Sequence, residues 1–398
     1  MSRHLRPVRS AIRTFSPLLI FVLLAAAITS WIVVQSPNLG TTNFLYGVAA
    51  ISPSNVWAVG YSDNGSTQLT LTEHWNGTNW SIVSSPSPGT QTRCGTGYSG
   101  NVLEGVTAIA SNNVWAVGHI CGWQGRTLVE HWDGIHWTVV PSSNVAGADM
   151  STLVSVAAVS ANDVWAVGNF QVGGQYQWNT LVEHWNGTKW NIVNSPNGSG
   201  KDKNFLNAIA VVSPTNLWAV GYSEDDSSNT IDVPLIEHYN GGGWSIVPSV
   251  YPAPSAFNAL YGITALSATN IWAVGYANEN SQGQNGAALI EYWNGTNWKL
   301  VNSPIAGSAT ILTSIAPNSS TDIWAAGYIQ SSDVQYLPIT EHWNGNSWAV
   351  VNPPNPGKVA QLFSADTING QVWAVGAYSK SAMTQGYMPN PLTLTIRR

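Results

Sequence analysis

A short apolar phrase recurs along almost the whole chain. Val-Trp-Ala-Val-Gly or a close variant places a Trp at positions 57, 115, 165, 218, 272, 324 and 373, at intervals of 49 to 58 residues. Six of these phrases are followed by a second segment such as LTEHWNGTNWSIV, residues 71–83. Each unit therefore contains four apolar runs, and their β-branched and aromatic residues predict four short β-strands.

Polar turns separate these runs. The third and fourth runs are joined through Asn-Gly or Asp-Gly at 76–77, 133–134, 186–187, 240–241, 294–295 and 344–345. These dipeptides accept the positive φ of a tight hairpin, so the two runs are predicted to pair antiparallel. A period near 50 residues with four antiparallel strands per unit predicts the blades of a β-propeller.

The two ends of the chain complete one another. The last unit runs from Leu362 to Ile396 and stops after three runs, and the missing run is present near the N-terminus as WIVVQSP, residues 31–37. We therefore predict an all-β fold, a seven-bladed β-propeller of four-stranded antiparallel blades over residues 31–398. The N-terminal strand is expected to close the last blade, which removes the exposed sheet edges of an open array.

The order of strands within a blade also follows from the pattern. One position of the first run always holds a small residue, namely Gly47, Gly105, Ser155, Ala208, Gly262, Ser314 and Ser364. Small side chains suit strands that converge on a crowded axis, so the first run is predicted to line the channel. The loops after strands two and four share one face and vary between blades, and a specific ligand is expected there.

With these motifs the chain resembles the kelch and galactose-oxidase-type β-propeller superfamily, in a secreted bacterial form, over residues 31–398. A single Gly follows the second strand (Gly60, Gly118, Gly168), where kelch blades carry a pair. The WD40 Gly-His and Trp-Asp signatures do not recur from blade to blade, and the sialidase Asp-box is missing. The resemblance implies the fold and no particular activity.

The first 30 residues read as an export segment. Residues 1–16 are basic, and the apolar run PLLIFVLLAAAI follows at 17–28. Cleavage after Ala27 would make it a signal peptide, whereas apolar character continuing through Val34 would make it a signal anchor. Both interpretations place residues 31–398 outside the cytoplasm, secreted or tethered by the N-terminal anchor.

Charge excludes several partner classes. Only 9% of residues are charged, and 44% are hydrophobic, which excludes a disordered chain and a coiled coil. Apart from the four Arg of the export segment, 10 basic residues stand against 20 acidic ones, a net charge of −10. Such a surface repels nucleic acid and anionic lipid. We expect a monomer that contacts a membrane only through an uncleaved N-terminal segment.

The repeated Glu-His pair, as at Glu73 and His74, looks catalytic at first sight. Neighbouring strand residues point to opposite faces, and six copies around a ring cannot form one site. We interpret each Glu as a buried acceptor for a nearby Trp N–H or backbone group.

Residues outside the repeat carry the binding hypothesis. Two Trp, Trp123 and Trp178, follow the second strands of blades two and three, near His119, Arg126 and Tyr176. Aromatic side chains beside a cation suit a sugar ring or a protein hot spot. The alternative is that these Trp merely cover the tops of the blades.

Two further clusters lie in the same loops. Glu224, Asp225, Asp226 and Asp232 in blade four could hold Ca²⁺, although EF-hand spacing is missing and a solvated acidic loop is the alternative. No other cofactor is expected. Cys94 and Cys121 belong to neighbouring loops of one face, and in an oxidising compartment they are predicted to form a disulfide rather than remain two thiols.

Enzyme chemistry finds little support. No zinc spacing, phosphate loop or nucleophile motif is present. The sequence therefore predicts a non-enzymatic, extracytoplasmic binding propeller whose loop face reads a glycan or a protein. A carbohydrate-active hydrolase or lyase using loop carboxylates and a structural cell-surface scaffold are the alternatives.

Overall fold

The computed structural model describes residues 30–65, 67–89, 100–120, 125–173, 177–198, 203–224, 232–252, 257–278, 286–304, 306–331, 335–384 and 387–398. The regular elements in these ranges are all β-strands. Nowhere in them is there a helix long and apolar enough to cross a membrane. The predicted export segment lies outside them, apart from Ser30.

The strands form antiparallel four-strand units that follow one another along the chain. The units are β2–β5 (Thr42–Ser52, Asn55–Asp63, Gln68–Trp75, Trp80–Val83), β6–β9 (Asn101–Ala110, Asn113–Ile120, Arg126–Trp132, Trp137–Val139), β10–β13 (Ala148–Ser160, Asp163–Val172, Trp178–Trp185, Trp190–Val193), β14–β17 (Lys203–Ser213, Asn216–Glu224, Asp232–Tyr239, Trp244–Ile246), β18–β21 (Asn258–Ser267, Asn270–Asn278, Gly286–Trp293, Trp298–Leu300), β22–β25 (Ala309–Ser319, Asp322–Gln330, Tyr336–Trp343, Trp348–Val350), and β26–β28 (Val359–Ile368, Gln371–Ser379, Leu392–Arg397) with β1 (Ile32–Val33).

The hairpin between the third and fourth strands forms as predicted. In the first unit Trp75 pairs with Trp80, and the intervening Gly77 has a φ of 97°. Two of the sheets contain eight strands because a single parallel bridge joins two units. These bridges connect Trp178 to Lys203 and Gly286 to Ala309.

The N-terminal strand completes the last unit, which confirms that prediction. Ile32 pairs with Arg397 and Val33 with Ile396, in the sheet order β1-β28-β27-β26. Trp31 is buried beside this strand, and its ring meets Trp324 of the preceding unit edge-on at 5.5 Å between centroids.

The hydrophobic core lies between units rather than within them. Trp57 of the first unit is buried with Trp137 of the second, and Trp373 of the last unit is buried with Trp80 of the first. The first strands contact one another in the same cyclic order, from β2 through β6 to β26 and back to β2. Burial of apolar surface between neighbours therefore stabilises the whole series of units.

The first strands enclose a cavity of about 460 Å³ on the central axis, as the small residues predicted. A Cβ atom on Gly105 would lie 2.8 Å from the carbonyl oxygen of Val154 in the next unit. Where the small residue is Ser, it also links units, because the Ser364 Oγ accepts a hydrogen bond from the Val48 N–H at 3.3 Å.

Candidate functional site

A second cavity, of about 430 Å³, lies on the face that carries the variable loops. It is lined by Glu104, His119, Met150, Thr152, Val154, Asn169, Trp178, Lys203, Phe205, Tyr222 and Glu224. Many of these residues stand near the beginning of a first or third strand or the end of a second strand, in three consecutive units. We call this cavity the face pocket.

An aromatic wall forms one side of the face pocket. The ring of Trp178 lies 5.7 Å from that of Phe205, and Phe205 stacks on Tyr222 at 4.9 Å. Trp178 begins β12, where its backbone pairs with Gln171 and its carbonyl oxygen accepts a hydrogen bond from the Asn204 side chain at 3.3 Å. These contacts fix the backbone of Trp178, and its half-buried indole packs near Phe205 at the pocket wall.

An ion pair forms the far end of this wall. The Lys203 Nζ lies 2.7 Å from the Glu224 Oε1. The two residues are paired directly across strands β14 and β15. One oxygen of the Glu224 carboxylate is therefore paired with a cation. Asp232, opposite Glu224 on β16, is buried. Across the described ranges, no group of three or more His, Cys, Asp or Glu is arranged to hold a metal ion.

Glu104 and His119 form the opposite wall. The Nδ1 of His119 lies 3.7 Å from the Glu104 Oε1 and 3.3 Å from the Thr152 hydroxyl. His119 is only 4% exposed, and burial lowers its pKa to about 4. Burial raises the pKa of Glu104 to about 7. At neutral pH the imidazole is uncharged, so it does not neutralise Glu104.

The structure brings together only some of the predicted site residues. Trp178, His119 and Glu224 line one pocket, although His119 is a buried wall residue rather than an exposed contact. Arg126 is exposed at the start of β8, opposite Ile120, and does not line the pocket. The remaining predicted residues, Trp123, Tyr176, Asp225, Asp226, Cys94 and Cys121, lie outside the described residues, so the disulfide stays a prediction.

Sequence reasoning missed a ring of residues around the axis. Each first strand contains a β-bulge between its Leu and its small residue, which leaves one residue without a pairing partner on the second strand. These residues all line the axial cavity, and we call them the bulge ring: Tyr46, Glu104, Val154, Asn207, Tyr261, Thr313 and Phe363. In the sequence each of these residues lies between the Leu and the small residue of a first run, and its type varies from unit to unit. Glu104 and Val154 line both cavities, so the face pocket adjoins the axial cavity.

The repeated Glu residues are buried acceptors, as interpreted; backbone N–H donors occur as predicted at two of them, and the other donors shown are serine hydroxyls rather than Trp N–H groups. Glu237 and Glu341 are buried and accept hydrogen bonds from the hydroxyls of Ser195 and Ser303 at 2.7 and 2.9 Å. These Ser residues follow the fourth strand of the preceding unit. The donor is thus a serine hydroxyl, and backbone N–H groups contribute at Glu183 and Glu291.

No known protein family matches the sequence, and no curated protein matches it. Solved structures do match over most of the chain. They include YCF48 bound to D1 peptide (TM-score 0.52, 13% identity, 93% of this chain and 97% of that one), YCF48 from Cyanidioschyzon merolae (0.53, 12%, 92% and 98%), and the WD40 β-propeller domain of Doa1 (0.54, 12%, 93% and 97%). At these identities the likeness shows the fold alone, which is a β-propeller. The kelch and galactose-oxidase resemblance stays a prediction.

Proposed function

We propose that the chain is a non-enzymatic, extracytoplasmic binding propeller that holds a segment of a partner protein in the face pocket. The observation that carries this proposal is the fixed aromatic wall of Trp178, Phe205 and Tyr222 beside a cavity that adjoins the axis. Aromatic side chains on a rigid scaffold offer large contact area at little entropic cost, as binding hot spots require.

The propeller is proposed to have seven blades. Seven four-strand units can be followed in the described ranges, and their first strands contact one another in a cycle that returns to the first unit. The eight-stranded sheets fit this count, because each consists of two units joined by one bridge. The proposed arrangement is one domain over residues 31–398, preceded by an export segment.

A protein segment is proposed over other ligands because the pocket combines an apolar wall with charged and amide groups. Trp178 and Phe205 suit an apolar side chain, while Asn169 and Glu104 face the same cavity and could bond a peptide backbone. One similar fold, YCF48, has been solved with a bound peptide. This mixture of groups suits a peptide that lies across the loop face.

The test is selection of a displayed peptide library on the purified chain, followed by affinity measurements on the selected peptides. We expect Trp178→Ala to weaken binding at least tenfold, on the order of a hot-spot loss. Tyr387→Ala is the matched control, since Tyr387 is a 77% exposed aromatic residue in the last unit and does not line the face pocket. Peptides that bind the Trp178→Ala variant as tightly as the parent chain would refute the proposed site.

A glycan-cleaving function is the second candidate, and one observation favours it. Glu104 and Glu224 line the same pocket as Trp178, and a carboxyl whose pKa is raised to about 7 suits a general acid. Incubation with a polysaccharide panel tests it. New reducing ends that disappear in the Glu104→Gln variant would support hydrolysis. If the chain neither binds peptides nor cleaves polysaccharides, a structural scaffold is the remaining function.

A further inference from the structure

The axial cavity combines aromatic rings with carboxylates and lacks an opposing charge. Tyr46, Tyr261 and Phe363 of the bulge ring border its volume of about 460 Å³, together with Glu104 and Asp366. Among the described residues that line it there is no Lys or Arg. Such surroundings favour a positively charged group over a neutral or negative one.

The aromatic rings near Glu104 are held in place by their neighbours. Phe363 meets Tyr46 edge-on at 5.2 Å between centroids, and Phe44 stacks on both Tyr46 and Tyr61 at 5.7 and 5.3 Å. In the cyclic order of the bulge ring, Glu104 follows Tyr46 directly. A cation in the cavity beside Tyr46 would therefore have aromatic rings and the carboxyl of the next unit among its neighbours.

Glu104 is the acidic side chain available to such a cation, and a cation beside it would favour its ionised form, since burial raises its pKa to about 7. His119 beside it is neutral at ordinary pH, since burial lowers its pKa to about 4, and the charge of Lys203 is directed to Glu224. The other carboxylate, Asp366, already accepts the backbone N–H groups of Ala50 and Thr367 at 2.8 and 2.7 Å. Asp366 therefore supports the channel wall, and Glu104 faces the cavity without a cationic partner among the described residues.

We infer that the axial cavity at the bulge ring receives a basic side chain, arginine above all, from the protein segment bound in the face pocket. A guanidinium group can stack on the ring of Tyr46 or Phe363 while it pairs with the carboxylate of Glu104, which an ammonium group does less well. The formal net charge outside the export segment is −10, and the acidic residues that remain ionised when the buried repeat Glu residues keep their protons also attract basic peptides.

The two cavities adjoin, as this insertion requires. Glu104 and Val154 border both of them, so a segment held in the face pocket lies next to the axial cavity. The inference rests on the proposed function, because it takes the ligand to be a protein segment. It adds the chemical identity of the side chain that the segment must present.

The experiment compares two blocked pentapeptides by isothermal titration calorimetry with the full chain. One is Gly-Gly-Arg-Gly-Gly, and the other carries citrulline, which has the shape of arginine without its charge. We expect the arginine peptide to bind at least tenfold more tightly, on the order of a desolvated cation–π contact together with an ion pair. Equal affinities for the two peptides would overturn the inference.

Two matched variants locate the preference. Glu104→Gln should reduce the affinity of the arginine peptide to that of the citrulline peptide. Asp133→Asn removes the same charge outside both cavities, at a hairpin position where the other units carry Asn, and should retain the preference. Phe363→Leu provides a second test, because it keeps an apolar side chain and removes the ring. It should weaken the binding of the arginine peptide and leave that of the citrulline peptide unchanged. If the arginine preference survives both Glu104→Gln and Phe363→Leu, the guanidinium binds outside the axial cavity, and the inference is refuted.

This design separates failure of the inference from failure of the proposed function. Library peptides that lack basic residues but whose binding depends on Trp178 would support the face pocket and overturn the insertion of a basic side chain into the axial cavity. An arginine preference that depends on Glu104, with no selected peptide affected by Trp178→Ala, would support that insertion and refute the face pocket.

Discussion

At the scale of single residues, the repeated Glu is the group that ties neighbouring units together. Burial raises the pKa of each of these carboxyls to about 7 or 8, and the residues are Glu73, Glu130, Glu183, Glu237, Glu291 and Glu341. In the first unit the donor is Ser36, in the segment that follows β1, so the same bond connects the last unit to the first. Each carboxyl retains its proton in the folded chain to a higher pH than in the unfolded chain.

Because these carboxyls bind a proton more tightly in the folded chain, the free energy of unfolding falls as the pH rises. A carboxylate held in a surface salt bridge gives the opposite dependence. The folded-state pKa of Glu237 is about 8 against an ordinary value of 4.5. Its contribution to the free energy of unfolding is therefore complete below about pH 4.5 and is lost as the pH rises through about 8. We expect Glu237→Gln, which stays neutral, to match the parent chain near pH 5 and to exceed its stability by about 1–3 kcal/mol at pH 8.5. Urea unfolding at both pH values measures this, and parallel pH profiles of variant and parent would contradict it.

At the scale of elements, the Gly of the recurring phrase and the bulge of the first strand are one structural feature. Gly221 pairs with Leu206, the residue just before the bulge, and a Cβ atom on it would lie 1.8 Å from the carbonyl oxygen of Phe205. The equivalent Gly in the other units would meet a first-strand carbonyl oxygen at 1.9 to 2.1 Å. The close approach of the two backbones explains why this Gly recurs in each unit.

Gly221→Ala therefore tests whether the bulge is rigid. We expect it to lower the free energy of unfolding by at least about 1–3 kcal/mol, because the methyl group displaces backbone rather than a flexible side chain. Gly243→Ala in the same unit is the control, since its Cβ would meet nothing within 4 Å, and it should stay within about 0.5 kcal/mol of the parent. If chemical denaturation gives the same change in the free energy of unfolding for both substitutions, the first strand adjusts easily and the bulge is not rigid.

The strands and their hairpins could be predicted from the sequence, whereas the bulge ring could not. Periodic Trp and Asn-Gly turns report local structure, but a bulge adds one residue whose type is unconstrained, as Tyr46 and Val154 illustrate. Trp178 stood out because it breaks the repeat. Lys203 and Phe205 did not, because they lie within a strand and enter the pocket only when neighbouring units pack. His119 occupies the position of the half-buried Tyr61 in another unit, so the repeat alone does not indicate how deeply His119 is buried.

At the scale of the whole molecule, the C-terminal residues take the place that a hairpin Trp holds elsewhere. Because Ile32 pairs with Arg397, Arg398 stands opposite Trp31 as Trp75 stands opposite Trp80. The guanidinium of Arg398 lies 4.5 Å from the centroid of the Trp324 ring, in the unit before the closure. Cation–π contact thus substitutes for one of the aromatic contacts that join the other units.

If the ring depends on this closure, the position of the chain ends should be exchangeable. A permuted chain that begins at Leu39, runs to Arg398 and continues through Asn-Gly-Thr-Asn into residues 31–38 would give the last unit the hairpin that the first unit has at 76–79. We expect it to melt within a few degrees of the chain spanning 31–398. Simple removal of 31–38 should lower the melting temperature by about 10 °C, because it exposes the pocket left by Trp31 at a cost of about 3–5 kcal/mol. Thermal unfolding of the three chains decides the matter, since a truncated chain as stable as the other two would show that the N-terminal strand does not close the ring.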